Sequence, residues 1–135
     1  MTEPRAKPVI LLVDDEPLFV LELKESLVEA GYEALSAHSA DQAIKLLDSH
    51  PDIRLVVTDI NMPGSTNGYG LIRVVQARWP PVKLIILCQK SSLAPGLPPK
   101  DVHVLSKPLI FAHLDAIIRQ LLQMTLPTDW PRLVR

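Results

Sequence analysis

Val9-Ile10-Leu11-Leu12-Val13 is apolar without interruption and runs straight into Asp14-Asp15-Glu16. A strand with apolar side chains on both faces has to be covered on both, and a parallel sheet sandwiched between helices does that. Four more short runs follow the same logic: Tyr32 to Ala37, Leu55 to Thr58, Val82 to Leu87 and Val102 to Leu105. Between them lie amphipathic stretches. Phe19, Leu23, Leu27 and Ala30 recur at three- and four-residue steps, with Pro17 suited to the first turn and Gly31 to the C-terminal cap. Ser39-Ala40-Asp41-Gln42 opens a second helix, which carries Ala43, Leu46 and Leu47 and stops before Pro51. A third helix is expected from about Gly68 to Trp79, and Ile110, Leu114, Ile117, Ile118 and Leu121 mark the inward stripe of a closing helix. Strands alternating with helices predict an α/β domain, a doubly wound sheet of five parallel strands. Pro95, Pro98 and Pro99 interrupt the interval after the fourth strand, so a proline-rich loop is expected where the fourth crossover helix would stand. The expected boundaries are a tail over 1–8, the domain over 9–122 and a tail over 123–135.

Composition narrows what such a domain does. The chain has 135 residues, 47% apolar and 21% charged, which is ordinary globular composition. A net charge of -1 provides no cationic field for nucleic acid or a membrane surface. One cysteine excludes a disulfide framework and a multi-cysteine zinc site, and the four histidines do not pair at helical metal spacing. The start is not a signal sequence, and no apolar run approaches the 20 or so residues of a membrane span. A soluble, cytoplasmic protein is the expectation.

In open parallel sheets, ligands bind beyond the carboxyl ends of the strands. Three of those ends carry polar groups: Asp14, Asp15 and Glu16 after the first, Asp59 at the third, and Lys107-Pro108 after the last. Asp15 or Glu16 taken alone is equally a helix N-cap, and Lys107-Pro108 taken alone is a turn. Together they predict a pocket. Carboxylates from neighbouring strands repel by roughly 4 kcal/mol per pair at about 4 Å and an effective dielectric near 20. Protonation, the Lys107 ammonium or a bound cation offsets that cost, and an all-oxygen cluster suits Mg²⁺ better than zinc or copper. An aspartate beside a divalent cation and a lysine can attack a phosphoryl group in line; Asp59 suits the nucleophile, and Asp14 and Asp15 suit the metal.

Leu-Val-Asp-Asp-Glu at 12–16, Thr-Asp-Ile-Asn-Met-Pro-Gly at 58–64 and Ser-Lys-Pro at 106–108 resemble the receiver domain of two-component response regulators, from about Val9 to Leu122. The resemblance implies a flavodoxin-like fold and a sensor histidine kinase or histidine phosphotransfer protein as phosphoryl donor. It implies Asp59 as phosphoacceptor and Asp14, Asp15, Asp59 and the main-chain carbonyl of Asn61 as ligands of Mg²⁺. It assigns Lys107 to the phosphoryl group, with a Lys107–Pro108 bond that is often cis. A stand-alone receiver that signals by protein contact or onward phosphotransfer, without substrate turnover of its own, is the expected function.

The chain departs from the receiver pattern at the readout positions. A threonine or serine usually ends the fourth strand; that position falls on Leu87, or on Cys88 if the register shifts by one. Leucine has no donor and a thiol is a weak one. The usual aromatic three residues before the lysine is Val104. Two rival readings follow. One is a pseudo-receiver that docks partners without phosphorylation. The other is an aspartate-based phosphohydrolase, which would want an aspartate where Asn61 stands, and a cap segment.

Overall fold

The computed structural model describes residues 7–60, 68–88 and 101–123. In chain order the elements are β1 (Val9–Val13), α1 (Pro17–Glu29), β2 (Glu33–Ala37), α2 (Ala40–Ser49), β3 (Ile53–Asp59), α3 (Gly68–Arg78), β4 (Lys83–Cys88), β5 (His103–Ser106) and α4 (Phe111–Leu121). The five strands form one parallel sheet in the order β2-β1-β3-β4-β5. This is the flavodoxin-like doubly wound order. The expected elements stand where the hydrophobic periods put them, with β4 and β5 each displaced by one residue. The proline-rich crossover expected over 89–100, and Asn61 with the turn around it, lie outside the described residues.

Strand alternation divides the core. Val9, Leu11 and Val13 point to one face, against Ala43 and Leu47 of α2 and Leu71, Ile72 and Val75 of α3. Ile10 and Leu12 point to the other, against Leu23 and Leu27 of α1 and Leu114 and Ile118 of α4. Every residue of β1 is buried, as its apolar run required. Truncating Leu27 or Leu114, both without solvent exposure, would cost about 2–5 kcal/mol.

Local chemistry fixes the helix ends. Pro17 stands in the first turn of α1, where a missing N–H costs nothing. Gly31 follows that helix at φ 102, a left-handed conformation that side-chain-bearing residues resist. At α2, the Ser39 hydroxyl accepts the Gln42 N–H at 3.1 Å, and the Gln42 side chain accepts the His38 N–H at 2.8 Å. On the opposite side of the domain, Tyr32 donates its hydroxyl to Asp115. Arg119 pairs with Asp115 at 3.2 Å and donates to the Ala30 carbonyl at 3.0 Å, tying α4 to the end of α1.

Candidate functional site

The sheet order places β1 between β2 and β3, so consecutive crossovers leave it in opposite directions and a crevice opens at the strand tips. Asp14 is the first residue past β1, anchored by its N–H to the Ala37 carbonyl at 3.1 Å. Asp59 is the last residue of β3. Lys107 follows β5, and its N–H donates to the Cys88 carbonyl at 2.8 Å, which continues the β4–β5 ladder to the lysine itself. Its Nζ then reaches Asp59 Oδ2 at 3.2 Å and Asp14 Oδ2 at 3.5 Å. Carboxylate oxygens of Asp14, Asp15 and Asp59 all lie within 4.8 Å of one another. The Lys107–Pro108 bond is cis.

The acidic triplet does not serve as a helix cap. Glu16 occupies the N-cap position of α1 but its side chain makes no capping bond. Instead Asp14 Oδ1 accepts the Glu16 N–H at 3.0 Å, which fixes the buried carboxylate. Burial, with help from the Asp59 charge, pushes the Asp14 carboxyl above the usual carboxylate range; the Glu16 N–H and Lys107 pull the other way. For Lys107, burial works against the ammonium, but Asp14 and Asp59 together outweigh it and raise its pKa. Three carboxylates against one ammonium leave an excess of two negative charges in an all-oxygen cluster, and a divalent cation cancels that excess. The donor set therefore fits a hard ion such as Mg²⁺.

The profile of the response regulator receiver domain matches residues 10–119. The chain belongs to the response regulator receiver family. It is 34% identical over 73 residues to the two-component response regulator ORR27 of Oryza sativa subsp. japonica, a match covering 53% of this chain and 12% of that protein. The receiver domain thus corresponds to a small part of that relative's length. Among solved structures, the response regulator receiver protein from Sinorhizobium medicae WSM419 superposes with a TM-score of 0.77 at 31% identity, covering 87% of this chain and 95% of that one. The response regulator protein TrrA from Thermotoga maritima, solved in complex with Mg²⁺-BeF, gives a TM-score of 0.76 at 32% identity, covering 86% and 99%.

Within this receiver domain, Leu87 and Cys88, adjacent at the end of β4, point to opposite faces of the sheet. Leu87 is the register partner of Asp59, but its side chain packs into the core with Ile10, Leu12 and Leu23. Cys88 points to the opposite face, and its thiol lies in the field of Asp59 and Lys107. Burial and then the Asp59 charge raise the thiol pKa, against the pull of Lys107, which favours the neutral thiol over the thiolate. Val104 is half-buried beside Ile86.

Two neighbours of the site carried no distinctive signal in the sequence. Gly68 opens α3, and a Cβ there would fall 2.4 Å from the Asp59 carbonyl oxygen and 2.7 Å from Ile60 Cα. The Gly68 N–H donates to the Ile60 carbonyl at 3.0 Å, so the helix starts hard against the strand end that carries Asp59. Phe19 reads in the sequence as one member of a helical apolar stripe, yet its ring lies 4.9 Å from Lys107 Nζ. A glycine at a helix start and an aromatic four residues past an acidic pair would be the signals to seek.

Proposed function

We propose that this receiver domain takes up a phosphoryl group on Asp59 from a phospho-histidine donor, with Mg²⁺ held by Asp14, Asp15, Asp59 and the Asn61 carbonyl. The observation that carries this reading is the pairing of Asp59 with Lys107 at 3.2 Å inside a cluster of three carboxylates. One Asp59 oxygen bonds to phosphorus as the P–N bond to the donor imidazole breaks. The bonding pair stays on that imidazole nitrogen, and with the second ring nitrogen already protonated the donor leaves as neutral imidazole. Lys107 lies where it neutralises charge on the incoming phosphoryl oxygens, and Asp59 is only partly buried, so a donor can reach it. A bound Mg²⁺ supplies charge neutralisation and orientation of the phosphoryl oxygens.

The functional unit in this reading is residues 9–122, acting as a signalling domain with no separate substrate. Its donor is a sensor histidine kinase or a histidine phosphotransfer protein. Leu18 and Leu21 on the outer face of α1 are 73% and 53% exposed, and Ile110, three residues past Lys107, is 56% exposed. These apolar side chains sit at the pocket end of the molecule and suit contact with the helical surface of such a donor. Beryllofluoride, which mimics the phosphoryl group, tests the site: with Mg²⁺ it should shift the amide resonances around Asp15, Asp59 and Lys107. The absence of shifts there, with Mg²⁺ present, would contradict the reading.

A second reading rests on Cys88 and Val104. The first is a weak hydrogen-bond donor and the second is not aromatic, so phosphorylation has less to pull on at these two positions. In a pseudo-receiver, partner affinity would be the same for the natural chain and Asp59→Asn. In a phosphorylation-driven switch, the beryllofluoride shifts would extend across residues 88–108.

A further inference from the structure

Lys107 has a flexible four-carbon stem and a strongly hydrated head group, so its ammonium needs restraint to stay over a carboxylate. Two directions around Nζ are taken by Asp59 and Asp14. A third is the face of Phe19, 4.9 Å from the nitrogen to the ring centroid, well within cation–π range. The ring packs among apolar side chains: Phe19, Leu23, Val57 and Leu87, together with Asp14, border a gap too narrow for water. The ammonium is therefore held between an apolar aromatic wall and two carboxylates, with about a fifth of the lysine side chain open to solvent.

We propose that Phe19 is a positioning residue, whose ring face holds the Lys107 ammonium over Asp59 and thereby sets the rate at which Asp59 takes up a phosphoryl group. This deepens the phosphoacceptor reading and rests on it. The ring makes no contact with the reacting atoms; it acts through the lysine. Its backbone position on α1 explains how: the helix that begins just after the acidic residues at the end of β1 carries the aromatic in its first turn to the lysine delivered by β5. The strength range of cation–π contacts predicts a rate loss of about two- to thirtyfold when the ring is removed.

Packing and electrostatics are separated by keeping the shape of the ring while draining its face of negative potential. The full chain would carry mono-, di- and trifluorinated phenylalanine at position 19, alongside Phe19→Leu and Phe19→Trp. The readouts are the rate of phosphoryl uptake from acetyl phosphate at saturating Mg²⁺, the Tm, and the ε-methylene proton shifts of Lys107. The expected result is a rate that falls stepwise with fluorination at constant Tm, a low rate for Phe19→Leu and a rate restored by Phe19→Trp. The Lys107 protons should lie upfield of free lysine and return toward it in Phe19→Leu. A flat rate across the fluorinated series would overturn the proposal, whether or not Phe19→Leu is slow. A natural chain that takes up nothing would overturn the phosphoacceptor reading and the rate role with it. The Lys107 proton shifts still report in that case, and their absence would remove the contact itself.

Discussion

Asp14 is 4% exposed and sits within reach of two other carboxylates, so ionising it works against the fold. Its pKa is raised in the folded state, which means the native protein holds that proton more tightly than the unfolded chain. The associated stability is complete below the ordinary value of 3.8 and is lost as pH rises through the higher folded value. Asp14→Asn keeps the acceptor for the Glu16 N–H and removes the charge. In metal-free buffer at neutral pH it should raise Tm, by about 4 °C for each kcal/mol gained at this chain length. That advantage should shrink as pH falls toward 3.8. Lys107 has the same sign in another window: its pairing contributes fully below the ordinary value of 10.5 and is lost as pH rises through the higher folded value. Mg²⁺ should reverse the order of the two proteins, because it adds about 2.7 kcal/mol to the natural chain at a hundred times its Kd and little to the variant. A Tm series with and without Mg²⁺ checks both statements, and a lower metal-free Tm for Asp14→Asn would contradict the first.

The elements place these residues, and their junctions carry more of the function than their interiors. Gly68→Ala puts a methyl group 2.4 Å from the Asp59 carbonyl oxygen, so either the start of α3 or the tip of β3 has to move. A loss of stability of about 1–3 kcal/mol is expected from such overpacking, together with slower phosphoryl uptake, measured by denaturant unfolding and by transfer from acetyl phosphate. On the outer face of α1, Leu18→Ser with Leu21→Ser should leave uptake from acetyl phosphate unchanged. The same pair should slow transfer from a phospho-histidine donor about tenfold or more; equal slowing with both donors would count against α1 as the donor's contact surface. The strands and helices were legible in the sequence because β1 is apolar throughout and the helices carry their apolar side chains at 3.6-residue period. The ladder was legible at its ends too, since Asp14, Asp59 and Lys107 each interrupt or terminate an apolar run. The choice between Leu87 and Cys88 was not. Both are apolar side chains in a buried strand, and only strand register determines which one faces the aspartates. Gly68 and Phe19 were illegible for a related reason: their roles arise from contacts across 9 and 88 residues of chain.

At the scale of the whole molecule, the doubly wound order turns three separate sequence positions into one pocket. The two aspartate-bearing strands are neighbours, and β4 and β5 bring the lysine back over them. Among the described residues the rest of the domain is an aliphatic sandwich in which two helices cover each face, and no helix there is long and apolar enough to cross a membrane. The charge excess is concentrated where the strands end, while the chain as a whole is nearly neutral, at -1. That contrast favours a small, hard cation and a phosphoryl group at one place over diffuse binding of a polyanion. Incubation with acetyl phosphate and Mg²⁺, followed by intact-mass measurement, tests this most directly. The expected result is the addition of a single phosphoryl group that is abolished by chelating the metal and by Asp59→Asn; an unchanged mass with every small-molecule and phospho-histidine donor, or full phosphorylation of Asp59→Asn, would contradict the phosphoacceptor role of Asp59.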